Sequence, residues 1–155
     1  ALSPMAAFQI LQGIETLPLR MDRICSNAVA IAQHLKQHAK VAWVNYAGLT
    51  DHPDHALVKR QMGGWESGII SFGLKAANGR EAGGRFQDAL QLFTRLVNIG
   101  DAKSLACHPA STTHRQLNAE EMARAGVSEE MVRLSIGIEH VDDLLADLDQ
   151  ALNAV

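Results

Sequence analysis

The stretch Met131-Val132-Arg133-Leu134-Ser135-Ile136-Gly137-Ile138-Glu139 repeats with a period of two, the period of a pleated strand. Val132, Leu134, Ile136 and Ile138 fall on one face, and Arg133, Ser135, Gly137 and Glu139 on the other. The pattern predicts a strand from Met131 to Ile138 with one face in a core and Arg133 projecting from the opposite face. Downstream, a helix is expected from about Val141 to Leu152, with Asp142 and Asp143 in its positive first turn. Upstream, Asn118 with Glu121 three positions on forms a capping box, so a short helix should run to Gly126.

Further upstream, strand and helix signals alternate. Strands are expected at Val41 to Tyr46, at the apolar run Ser67 to Leu74, at Leu92 to Ile99 and at Ser104 to His108. Asp51 with Pro53 should start a helix that Gly63-Gly64 stops near Met62, and Asn78-Gly79 should turn into a helix with Ala82, Phe86, Ala89, Leu90 and Phe93 on one face. Pro109 to Leu117 reads as a polar loop. The first 40 residues read instead as a helical arm. Ser3 caps and Pro4 opens a helix with Met5, Phe8, Leu11 and Ile14 in a stripe, Pro18 bends or restarts it, and Met21, Ile24, Ala28, Ile31, Ala32 and Leu35 make a second stripe. The division is therefore an arm over 1–40 and an α+β domain over 41–155.

The chain has 155 residues, 47% of them hydrophobic and 20% charged, enough apolar material for one packed core. It opens Ala1-Leu2-Ser3-Pro4 without an initiator methionine, which fits a piece of a longer protein. A net charge of −3 argues against a nucleic-acid partner. No apolar run approaches the roughly 20 residues that span a bilayer, and no secretory leader is visible, so a cytoplasmic location is expected. Cys25 and Cys107 form no CxxC motif and sit among core-like residues, so both should be reduced packing residues.

Three places could carry chemistry. Arg133 presents a planar fork suited to bidentate binding of a carboxylate, but an exposed arginine or an ion-pair partner of Glu139 or a nearby Asp is the commoner use of such a residue. Asn98-Ile99-Gly100-Asp101-Ala102-Lys103-Ser104 could be an anion-binding turn or an ordinary strand connection. His108-Pro109-Ala110-Ser111-Thr112-Thr113-His114 puts hydroxyls between two imidazoles, without a nucleophile elbow or a recognised metal spacing, and His52 with His55 makes only half a metal site. No metal site is expected. None of Lys36, Lys40, Lys59, Lys75 and Lys103 is marked as an amine poised for covalent chemistry, so no catalytic apparatus is complete.

Several of these blocks, in order along the chain, resemble the C-terminal part of the Cys/Met-metabolism family of pyridoxal-phosphate enzymes. They are Gly100-Asp101-Ala102-Lys103-Ser104-Leu105, His108 to His114, and Val132 to Glu139. Leu2-Ser3-Pro4 to Phe8, Gly13 to Leu17 and Leu19-Arg20-Met21 resemble the arm that joins that family's large and small domains. Val44-Asn45-Tyr46, Gly48-Leu49 and Asp51-His52-Pro53 fit as well, so the likeness spans essentially the whole chain. Asn98, Ala102-Lys103-Ser104 and Ser111-Thr112-Thr113-His114 are most similar to O-acetylhomoserine sulfhydrylases, whereas the gamma-lyases and cystathionine synthases more usually carry Met at the position of Thr112.

The resemblance implies the small C-terminal domain of an aspartate-aminotransferase-like fold, with a mostly antiparallel sheet, helices packed on it, and a long N-terminal helical arm. It implies pyridoxal phosphate held by a lysine of a large domain that precedes this chain, an amino-acid substrate, and a homotetramer in the full enzyme. Arg133 falls on the family's arginine for the substrate α-carboxylate, Asn98 on a polar position beside the same carboxylate, and Thr113 in the pocket loop, with Ser111 and His114 behind it. The chain alone should hold no cofactor, be inactive, and dimerise or leave its N-terminus disordered. A γ-synthase or γ-lyase fragment, or a free-standing amino-acid-binding or interaction module, is the alternative.

Overall fold

A computed structural model describes all 155 residues as a mixed five-stranded sheet with helices packed on it. The elements are α1 (Pro4–Glu15), α2 (Leu17–Gln37), β1 (Val41–Asn45), α3 (His55–Met62), β2 (Ile69–Leu74), α4 (Gly79–Ala89), β3 (Thr94–Arg95), β4 (Leu105–Cys107), a 3-10 turn at Pro109–Ser111, α5 (Ala119–Arg124), β5 (Met131–Ser135) and α6 (Val141–Asn153). The strand order is β1-β2-β5-β4-β3, antiparallel throughout except for the short parallel pair β3 and β4.

Alternation in β5 sets the two faces. Leu134 lies opposite Ile70 and Ala106, and Val132 opposite Phe72, so these side chains share the face that α2, α4 and α6 cover. Phe72 and Phe86 meet edge to face at 5.6 Å between ring centroids, with both side chains fully buried. Arg133 lies opposite Ser71 on one side and Cys107 on the other, on the face that carries none of these helices.

α1 starts where Ser3 Oγ accepts the Ala6 N–H at 3.2 Å and Pro4 occupies the first turn. The axis restarts at Thr16, with Pro18 placed where α2 needs no N–H. α2 then buries Ile24, Cys25, Asn27, Ala28, Ile31, Ala32 and Leu35, while α1 buries nothing. The capping box at Asn118 and Glu121 forms as expected, with both hydrogen bonds at 2.9 Å.

Four sequence expectations need correction. α3 begins at His55, because residues 46–55 spend their backbone bonds on successive turns in which Leu49, His52 and His55 donate to Tyr46, Leu49 and His52. α4 ends at Ala89, leaving Leu90 and Phe93 outside it, because the buried Asp147 carboxylate accepts the N–H groups of Gln91, Leu92 and Phe93 at 2.8, 2.8 and 3.0 Å. The strand expected over Leu92 to Ile99 shrinks to Thr94–Arg95, with Leu96, Val97 and Ile99 exposed. The strand expected to Ile138 leaves the ladder after Ser135, and Ile138 is 41% exposed rather than core. The polar loop at 109–117 holds, apart from its opening 3-10 turn.

Candidate functional site

On the Arg133 face of the sheet, beside the connection that follows β3, lies a small cleft. Its walls are Leu96, Val97 and Asn98 from the connection after β3, Leu105 and Cys107 from β4, and Arg133 and Ser135 from β5. Arg133 and Asn98, 35 positions apart in the chain, are thus brought to one place. A second, more apolar cleft shares Leu96, Val97 and Cys107 with it and adds Gln87, Arg95, Ala106 and Thr112.

Arg133 is half-buried and makes no salt bridge or side-chain hydrogen bond. Arg80, Arg85 and Arg95 are paired with carboxylates, Arg20 donates to Thr16 and the Gly13 carbonyl, and Arg23, Arg60, Arg115 and Arg124 are exposed. Arg133 is therefore the one arginine held partly out of water with nothing to bind. Its strand neighbours are a serine and a cysteine, which supply no counter-charge. A guanidinium so placed presents its donor fork to an incoming carboxylate or similar planar anion.

The ion pair with Glu139 does not form, because that carboxylate is engaged by Ser104, whose backbone N–H and hydroxyl reach it at 2.6 and 2.9 Å. The anion-binding turn at 98–104 is likewise filled from within. Asp101 Oδ1 accepts the Lys103 N–H at 3.1 Å and Glu139 accepts that of Ser104, so the chain's own carboxylates take the place of a ligand.

The 108–114 loop does not join Arg133 in the cleft. His108 is fully buried, its Nε2 donating to the Glu129 carbonyl at 2.7 Å and its Nδ1 bonded to Ser111 Oγ at 2.8 Å, so Ser111 is committed to the histidine. Burial pushes the His108 imidazole below its ordinary value of 6.5, against the Glu129 hydrogen bond. Thr113 is exposed, its hydroxyl bonded to His114 Nδ1 at 2.7 Å. Thr112, which the sequence reading did not single out as a site residue, does reach the second cleft. It donates to the His108 carbonyl at 2.8 Å and meets Cys107 Sγ at 3.3 Å.

Nowhere do three His, Cys, Asp or Glu residues gather as a metal site, and the His52 and His55 rings bond to Asn45 and to the Ala47 carbonyl. Cys25 and Cys107 are both buried and unbridged, and burial raises the Cys25 thiol. No helix is long and apolar enough to cross a membrane. No lysine lines the Arg133 cleft. Lys36 pairs with Asp51, Lys40 donates to the Leu152, Asn153 and Val155 carbonyls, and Lys59, Lys75 and Lys103 are exposed. These residues do not fit a Schiff-base cofactor site within the chain.

The chain is 50% identical over its whole length to an O-acetyl-L-homoserine sulfhydrylase of Leptospira meyeri, and 52% identical over 99% of its length to an L-methionine gamma-lyase of Pseudomonas deceptionensis. It spans only 35% and 38% of those two relatives. A crystal structure from Campylobacter jejuni, an O-acetylhomoserine (thiol)-lyase determined with N′-pyridoxyl-lysine-5′-monophosphate, superposes on 99% of the chain with a TM-score of 0.87 at 42% identity, and the match covers 36% of that protein. Cystathionine gamma synthase from Xanthomonas oryzae pv. oryzae, in complex with cystathionine, superposes with a TM-score of 0.85 at 43% identity over 98% of this chain and 38% of its own. The model of the Cys/Met metabolism PLP-dependent enzymes matches residues 1–153, and the chain belongs to that family.

Proposed function

We propose that this chain is the C-terminal, substrate-carboxylate-binding part of an O-acetylhomoserine sulfhydrylase, and that it is inactive by itself. The observation that carries this reading is the half-buried, acceptor-free guanidinium of Arg133, sharing a cleft with Asn98. In this reading Arg133 holds the α-carboxylate of the amino acid through two parallel N–H donors, and the Asn98 amide adds a donor at the rim. Thr113 and His114 stand on a loop outside the Arg133 cleft of this chain and would line only the wider substrate pocket that the large domain completes, with Ser111 bonded to His108 behind them. Pyridoxal phosphate, held by a lysine of the preceding large domain, supplies the electron sink when bound. This chain binds and orients the substrate while acetate leaves the γ-carbon and sulfide forms the new C–S bond, giving homocysteine.

α1 is the element through which the chain meets the large domain in this reading. Met5, Phe8, Ile10, Leu11 and Ile14 are each more than half exposed on it, a concentration of apolar surface that invites a partner. The assembly is a cytoplasmic homotetramer.

A γ-lyase is the second reading, since L-methionine gamma-lyases match at 50–52% identity. Thr112 speaks for the sulfhydrylase. Its hydroxyl closes on the His108 carbonyl and Cys107 Sγ, contacts that a methionine at this position could not make. Assaying the whole protein for homocysteine from O-acetylhomoserine and sulfide, and for methanethiol from methionine, separates the two. Homocysteine formation should dominate, and methanethiol release as the faster reaction would overturn the assignment. The 155-residue chain mixed with pyridoxal phosphate should give neither product. Turnover by it would show that the large domain is not needed.

A further inference from the structure

The connection that carries Asn98 is anchored at both ends by carboxylates from the last part of the chain. At its start, Asp147 takes the three N–H groups of residues 91–93. At its end, Glu139 takes both the N–H and the hydroxyl of Ser104, at 2.6 and 2.9 Å. Between these anchors residues 94–100 are exposed, and β3 contributes only two residues of ladder. The second anchor is built into the residues that directly follow the strand that bears Arg133. Ser104 Oγ accepts the Gly137 N–H at 2.8 Å, and the Ile138 N–H donates to the Ala102 carbonyl at 3.0 Å. A methyl group on Gly137 would lie 2.4 Å from the Ala102 oxygen and 2.6 Å from the Lys103 carbonyl carbon, so the two backbones are in direct contact. From the opposite side Asn27, only 3% exposed, donates to the Gly137 and Glu139 carbonyls at 3.1 and 2.9 Å, which ties this corner to α2.

We propose that Glu139 is a positioning residue for the Arg133 cleft. By gripping Ser104 it sets the connection that carries Asn98 against the strand that carries Arg133, and so fixes the spacing of the two carboxylate-binding groups. The proposal rests on the reading of that cleft as the substrate-carboxylate site. Glu139 itself meets Ser104 rather than Arg133, so it acts through geometry and not by neutralising the guanidinium.

The test uses the whole enzyme with Glu139→Ala, Glu139→Gln, Ser104→Ala and Arg133→Ala. Glu139→Ala should raise KM for O-acetylhomoserine about 10-fold while kcat stays within about 3-fold, because ground-state binding and transition-state binding weaken together. Ser104→Ala should move KM the same way, which keeps the test open if Glu139→Ala folds poorly. Glu139→Gln should recover most of the affinity, since its amide oxygen can accept the Ser104 N–H and its amide nitrogen can donate to Ser104 Oγ. An unchanged KM in Glu139→Ala and Ser104→Ala, with Arg133→Ala raising KM, would overturn the positioning role alone. An unchanged KM in Arg133→Ala would overturn the carboxylate site beneath it.

Discussion

The two faces of the sheet are made by the same strands and differ in nearly every other respect. On one, Ile70, Phe72, Val132 and Leu134 are within 1% of full burial beneath three helices. On the other, Ser71, Arg133 and Cys107 sit side by side, and the cover at the edge is a short connection instead of a helix. The first face carries stability, because every apolar group there loses its contact with water. The second leaves a charged group half-buried without an acceptor, a cost to the isolated chain that a bound carboxylate would offset. Alternation along one strand thus divides the residues: 132 and 134 hold the fold, and 133 is left without a partner.

Substitutions should separate the faces by size of effect. Phe72→Ala should destabilise the chain by about 3–5 kcal/mol in denaturant titrations, while Ser71→Ala, one residue away on the other face, stays within about 0.5 kcal/mol. A loss below about 1 kcal/mol at Phe72 would break the distinction. Adjacent glycines on α4 sharpen it further. A Cβ on Gly83 would lie 2.2 Å from His108 Nε2, whereas Gly84 has nothing within 4 Å. Gly83→Ala should therefore cost about 1–3 kcal/mol through overpacking, and Gly84→Ala should stabilise by about 0.5–1 kcal/mol through helix propensity. Equal effects at the two positions would contradict the packing of His108 against α4.

His108 also makes a prediction about pH. Its imidazole is held below 6.5 in the folded state, so the unfolded chain binds more protons there, and stability rises with pH across that interval. The His108 contribution is complete above about pH 6.5, the unfolded value, and is lost as pH falls from there toward the folded value. His108→Gln should flatten the stability profile between pH 5 and 7, and a profile as steep as the parent's would refute the buried neutral imidazole. The smallest effect on stability concerns α1, which buries no residue. Removing residues 1–15 should leave the thermal midpoint nearly unchanged but abolish self-association of the 155-residue chain in sedimentation. A parent chain that stays monomeric at all concentrations would contradict the partner role of α1.

Local signals made much of the helix-covered face legible. The period of two in 131–136, the apolar run around Phe72 and the capping box at Asn118 each depend on neighbours within a few residues. The misread segment was decided at long range. Leu92, Leu96, Val97 and Ile99 have strand-like side chains, but Asp147, more than 50 positions away, takes the backbone donors that would begin the ladder. For the same reason the sequence offered Glu139 as a partner for Arg133, and only the folded corner shows it turned to Ser104. Arg133 itself could be placed on its face from the alternation. Its lack of an acceptor is a property of three strands together.

The central claim is tested most directly by Arg133→Ala in the whole enzyme, with KM for O-acetylhomoserine and the thermal midpoint measured on the same preparation. Loss of a charge-assisted, bidentate contact should raise KM about 10- to 100-fold and leave the midpoint almost where it was. A KM equal to that of the parent enzyme would contradict the account, and so would a collapse of the midpoint, which would make Arg133 a structural residue.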